Sequence, residues 1–260
     1  MTEPRPHPLY LHFRELPLSL RVAYTGTLLV LSVGYIFSMI YVFASHAGRD
    51  GQPMFSADDL IIAYSGSKAD TRLEAALKGP MAGMLPEGDR AAIVAWVRSG
   101  AEETAFNETV SSIFQQRCHA CHAPTNPHLP DLTSYDKVMA MVELDTGMDI
   151  YTMVRVSHTH LLGITFMFFI MGIIFSHAYL RPVWLKCTIV GLPFATIFCD
   201  IVSWYLTKIV ASFAYVVIAS GALMGISFGT MVVVSLLQMW VLPPPAALAD
   251  RLGGDGQLIP

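Results

Sequence analysis

Charge is what this sequence is short of. Only 14% of its 260 residues are Asp, Glu, Lys or Arg, where a soluble domain carries about 25%. Cysteine is also scarce, with four in the chain, which rules out a disulfide-built scaffold. There is no G-x-x-x-x-G-K-[ST] loop and no dinucleotide-binding glycine fingerprint. No basic run marks a nucleic-acid surface either. These gaps exclude nucleotide-driven and nucleic-acid-binding classes and leave a chain that is 53% hydrophobic.

The apolar residues are bunched. Runs at 22–45, 161–180, 183–207 and 209–241 each suffice to cross a hydrocarbon core, which takes roughly 20 helical residues. Arg5, Arg14 and Arg21 precede the first run. That run exceeds the core of a cleavable signal peptide, so it reads as an uncleaved signal anchor. Arg181 lies between the second and third runs and Lys186 in the first turn of the third, while only Lys208 lies between the third and fourth. The positive-inside rule then puts the N-terminus, the 181–186 link and the C-terminal tail in the cytoplasm.

The expected architecture is all-α: four transmembrane helices, with a helical domain inserted between helices one and two. Residues 1–21 form a cytoplasmic tail, 22–45 the first span and 46–157 an outside domain. Residues 158–241 form a three-helix membrane region, and 242–260 a Pro- and Gly-rich cytoplasmic tail. The expected location is a bacterial inner membrane with the inserted domain in the periplasm.

Segment 46–157 has the composition of a soluble domain, with 15 acidic and 9 basic residues. Its net charge of −6 against −4 for the whole chain concentrates the acidity there, which suits a basic partner. Helices are expected over 55–66 (Ser56 as N-cap, Gly66 as stop), 86–101, 106–122 and 133–144.

The third of these runs into RCHACHAP, residues 117–124. C-x-x-C-H is the attachment signal of c-type haem. Two thiols one helical turn apart can form thioethers to the two vinyl groups of one porphyrin, and the following histidine ligates the iron. Cys118, Cys121 and His122 are therefore the cofactor-binding candidates, with His122 proximal. A redox dithiol or half a zinc site are the other uses of such a pair. Cys187 and Cys199, inside the third span, read as small packing residues.

On these residues the segment resembles class I cytochromes c over roughly 55–145, with its parts permuted. FNETVSSIFQQRCHACH is similar to that family's N-terminal helix and haem motif. GPMAGMLPEGDRAAIVAWVRSGA, which lies upstream, is similar to its methionine loop and C-terminal helix. The resemblance implies one covalent haem c with a methionine as distal ligand. Met81 is the first choice and Met84 the second. Met139, Met141, Met148, Met153, His128, His158 and His160 are the other candidates.

In the membrane part, His158 and His160 open the second span, His46 ends the first, and Asp200 lies in the third. An ionisable residue in a span is a functional candidate by default. These four form a candidate second redox or proton site, which would take a haem b if two histidines meet at one depth. Asp200 has a structural alternative, pairing with Lys208. Gly221, Gly225 and Gly229 form a small-residue seam.

The expected function is membrane-bound electron transfer through one c-type haem, as a subunit of a respiratory or other redox complex. Its partners are other membrane redox subunits and an electron donor and acceptor. The alternative is a quinol-oxidising b-c type subunit. A haem-based sensor ranks third, since no output domain follows.

Overall fold

The structure is a computed structural model and describes residues 11–127 and 129–243. Ten α-helical segments are found among these residues, with no named strand. The first is α1 (Leu18–His46). The last three are α8 (Ile150–Ser176), α9 (Val183–Thr207) and α10 (Phe213–Leu236), the last running on as a π turn, Leu237–Val241. All four are long and apolar enough to cross a membrane. The protein is an all-α, multi-pass membrane protein. Helix α8 starts well before the apolar run at 161, because YTMVRVSHTH adds three polar turns that hydropathy alone does not report.

The chain divides into two compact units. One holds the residues up to Met39, Val154–Trp204 and from Tyr215 onward; the other holds Ile40–Met153 and Tyr205–Ala214. In the first unit, cationic side chains close helix ends that would otherwise leave bare carbonyls. Lys186 donates to the carbonyls of Ser176 (2.5 Å) and Ala178 (2.8 Å) at the end of α8. Arg21 donates to the Met239 carbonyl at 2.6 Å and lies over the Trp240 ring; Arg14 donates to Leu242. His12, a residue of the expected tail, is instead buried, with its Nε2 3.3 Å from Gln238 Oε1. His177 donates from Nδ1 to the Leu11 carbonyl at 2.8 Å, so it anchors the segment ahead of α1. Of the glycine seam, only Gly225 makes a close approach: a Cβ there would lie 2.9 Å from the Tyr35 hydroxyl, while Gly221 and Gly229 face open space. Cys187 and Cys199 are exposed on α9, so neither is a packing residue of the bundle.

The second unit contains α2 (Ala57–Ser65), α3 (Arg72–Lys78), α4 (Glu87–Arg98), α5 (Glu103–Ala105), α6 (Ser111–Ile113) and α7 (Tyr135–Met139). Helix α2 starts from a capping box in which Ser56 and Asp59 satisfy each other's backbone N–H. Helix α3 starts from the same device at Thr71 and Glu74. Segments α5 and α6 belong to one helical run, 103–118, interrupted by π turns at Phe106–Val110 and Phe114–Cys118. The run buries Phe106, Val110, Phe114 and Cys118, a strict four-residue repeat. At 3.6 residues per turn such a repeat drifts by roughly 40° each step. The wider π turns unwind the helix and keep all four on one face.

That face and α4 make the core, in which Ile93, Trp96, Val97, Phe106, Val110, Phe114, Cys118, Leu132 and Val138 pack together. The Trp96 and Phe106 rings lie 5.3 Å apart. The corner between α4 and α5 is fixed from inside: Trp96 Nε1 donates to the Glu102 carbonyl at 3.0 Å, and the Tyr135 hydroxyl donates to Ala101 at 3.0 Å.

Candidate functional site

The buried face of the 103–118 run delivers Cys118 to the core, and the chain turns at once beyond it. The N–H groups of Cys121 (3.1 Å) and His122 (2.8 Å) both donate to the Cys118 carbonyl. Cys118 is buried and Cys121 exposed, and both are free thiols. Burial pushes the Cys118 thiol up from its ordinary value. That shift is away from the thiolate form that disulfide-exchange chemistry draws on. Among the described residues no three His, Cys, Asp or Glu side chains converge as a metal cluster, so none of these residues supplies the pair with the further ligands of a tetrahedral zinc site.

His122 is held by a loop eight to ten residues downstream. Its Nδ1 lies 2.9 Å from the Pro130 carbonyl. A carbonyl can only accept, so this bond puts the proton on Nδ1 and leaves the Nε2 lone pair open for a ligand bond. Leu132 N donates to the His122 carbonyl at 3.1 Å, and His119 Nε2 reaches the Leu132 carbonyl at 3.1 Å. Asp131 secures the loop: its carboxylate accepts from Thr133 N (3.0 Å), from the Thr133 hydroxyl (2.6 Å) and from Lys137 Nζ. The Lys137 bond, with those from Thr133, pulls the Asp131 carboxyl down to about 2. His119, Pro130, Asp131 and Lys137 support the motif but escaped the sequence reading. Their one sequence signal is the short D-x-T step, Asp131 to Thr133, typical of a side-chain-stabilised turn.

The two methionines of the upstream loop differ. Met81 is partly buried and packs against the core that holds Cys118, whereas Met84 is 72% exposed. Met139 and Met141 also pack on this core. Met153 is fully buried. Met148 lines a 240 Å³ cleft with Arg49, Pro80 and Met141, and that lining includes none of Cys118, Cys121 or His122. His128 lies outside the described residues.

The second candidate group divides between the two units, with His46 in one and His158, His160 and Asp200 in the other. His46 Nδ1 sits 3.1 Å from the Val42 carbonyl, and its ring meets Phe55 edge-on. In the membrane unit, Asp200 is 7% exposed, with Trp204 one turn on beside its carboxyl. Trp204 is itself buried, and the His160 ring meets it edge-on at 5.3 Å. His160 Nδ1 is 2.9 Å from the Val156 carbonyl. His158 is exposed, with only a 3.5 Å approach to the Thr159 hydroxyl. The two histidines, two residues apart on α8, thus differ in their surroundings, and His160 is the one that meets α9.

Lys208 is occupied elsewhere. Its ammonium donates to the carbonyls of Tyr64 (2.6 Å), Thr146 (3.1 Å) and Met148 (2.8 Å), all in its own unit. An ammonium has three protons, so none remains for the pairing with Asp200 that its place in the sequence suggested.

Residues 143–246 match a family model described as a transmembrane helical domain. The match spans α8 to α10 and stops short of the C-x-x-C-H segment. No curated protein and no solved structure matches the chain.

Proposed function

We propose that the protein carries electrons through one covalently attached c-type haem, as a membrane subunit of a respiratory or other redox complex. The observation that carries this reading is the state of His122. It follows the two thiols directly, and the Pro130 carbonyl holds its Nδ1–H so that Nε2 is left as an acceptor. Metal-bound histidines are oriented by such outer partners. Cys118 and Cys121 would hold the porphyrin and His122 its iron, and the haem would supply a one-electron couple. Met81 is the distal ligand of choice, because it packs on the same core while Met84 stands exposed. A methionine raises the potential relative to a second histidine.

The positive-inside reading of Arg14, Arg21, Arg181 and Lys186 supports an outward-facing haem domain in a bacterial inner membrane. The domain's net negative charge favours a basic redox partner.

The test is a pyridine haemochrome spectrum of the purified full chain, before and after acid–acetone extraction. The expected result is one haem c per polypeptide that resists extraction and is absent from the Cys118→Ser/Cys121→Ser variant. A chain exported with the haem-attachment machinery that still holds no covalent haem would sink the proposal. An extractable haem b in addition would make histidines of the bundle ligands and favour the b-c type reading.

A further inference from the structure

A carboxyl inside a membrane span is expensive to keep, and this one has a specific setting. Asp200 is 7% exposed, and among the described residues no ion pair reaches it. Its neighbour on the same helix face is Trp204, and His160 of α8 packs edge-on against that indole. The bond from His160 Nδ1 to the Val156 carbonyl puts the ring proton there, so Nε2 is a base with an open lone pair. His160 is exposed at the surface of the bundle. The buried hydroxyls of Thr196 and Ser203 flank Asp200 at i−4 and i+3, and Ser157 is likewise buried three residues before His160. Two helices thus bring together a buried carboxylate, a buried indole and an accessible base on the exposed side of a membrane-spanning helix. A purely structural carboxyl needs neither the base nor its exposure.

We infer that His160, Trp204 and Asp200 form a quinol site, entered from the lipid phase, in which the quinol's two hydroxyls meet His160 Nε2 and the Asp200 carboxylate. The chemistry of this ligand class fits the three groups. A quinol is a flat aromatic ring with a hydroxyl at each end and an apolar tail. An indole offers the ring a face or edge to pack on, and the base and the acid each take one O–H. Oxidation of one quinol to quinone breaks both O–H bonds and releases two protons and two electrons. One proton goes to His160 Nε2 and the other to the Asp200 carboxylate. The electrons leave singly, each reducing one ferric haem to ferrous, with reoxidation by the downstream acceptor between them. The electron route rests on the haem reading above; the binding site does not.

The experiment uses the full chain in lipid nanodiscs and two quinones, decylubiquinone and menadione, with their reduced forms. Binding is read from quenching of tryptophan fluorescence, comparing the protein with Trp204→Phe. Electron transfer is read by stopped-flow haem reduction with decylubiquinol and menadiol. The expected binding result is saturable quenching that Trp204→Phe abolishes and His160→Gln weakens at least tenfold. The expected kinetic result is saturable haem reduction that falls at least tenfold in Asp200→Asn and His160→Gln and recovers in Asp200→Glu. Dithionite should still reduce the haem fully in every variant, which shows that the haem domain has folded. Haem reduced by dithionite with no saturable quinone binding, or with variants indistinguishable from the parent, overturns this inference and leaves the haem reading standing. Absence of haem with Trp204-dependent quinone binding overturns the haem reading and leaves the site. A preference between the two quinones assigns the site to a benzoquinol or a naphthoquinol.

Discussion

At the scale of single residues, the C-x-x-C-H motif depends on a loop it does not contain. Pro130 orients His122, and Asp131 holds Pro130's neighbours through Thr133 and Lys137. On the proposed haem reading, Asp131→Ala should leave haem attachment intact and broaden the proximal histidine signals in the spectrum of the paramagnetic protein; unchanged signals would show that the loop holds itself. The sign of the pH effect follows from a carboxyl held at about 2 in the folded chain against an ordinary value of about 3.9. The stabilisation is complete above the ordinary value and fades as pH falls through it toward 2. Amide exchange at Thr133 should therefore accelerate only in that acid window. With Met81 as the proposed distal ligand, Met81→Leu should abolish a sulfur-to-iron charge-transfer band of the ferric protein, whereas Met84→Leu should leave it in place.

At the scale of elements, helix starts and tight backbone crossings dominate. Glu74 closes the capping box of α3 and also accepts from Arg98 Nε at 2.9 Å. Burial alone would raise its carboxyl, but the bonds from Thr71 and Arg98 outweigh it and lower it. Glu74→Ala should cost about 1 kcal/mol in thermal or denaturant unfolding, the usual worth of a cap. The glycines at 66 and 147 are stricter. Both have positive φ, and a Cβ on Gly66 would lie 2.0 Å from the Asp145 carbonyl oxygen. Gly66→Ala should cost at least about 2 kcal/mol, since strain and clash add. A melting temperature within a degree or two of the parent would contradict that. The T-x-x-E signature of α3 was present in the sequence, but the helix is only seven residues, Arg72–Lys78, too short for periodicity to reveal.

At the scale of the whole molecule, the arginines that suggest the orientation also finish the helices. Arg14 and Arg21 bond carbonyls beyond α10, and Lys186 bonds those at the end of α8. Mutating them therefore perturbs packing as well as topology. A cleaner test of orientation inserts a phosphatase reporter, active only outside the cytoplasm, into the 123–129 loop or the 180–182 link. The proposed orientation predicts activity from the first insertion and none from the second; the opposite pattern would overturn it.

The sequence by itself determined the four spans, the all-α class, the caps at Ser56 and Gly66, and the C-x-x-C-H motif. Each of these is written in contiguous residues, as hydropathy, capping chemistry or fixed spacing. Only the tertiary structure decided what depends on distant residues meeting. It tied His122 to Pro130 and separated the packed Met81 from the exposed Met84. It turned His12 from a tail residue into a buried one and gave Lys208 to three carbonyls of its own unit. It also brought His160 to Trp204 across two helices, while leaving His46 in the other unit. Hydropathy reports how deep a residue lies along a helix axis but not which neighbour its face meets. That is set by packing, where a few degrees of helix rotation choose the partner.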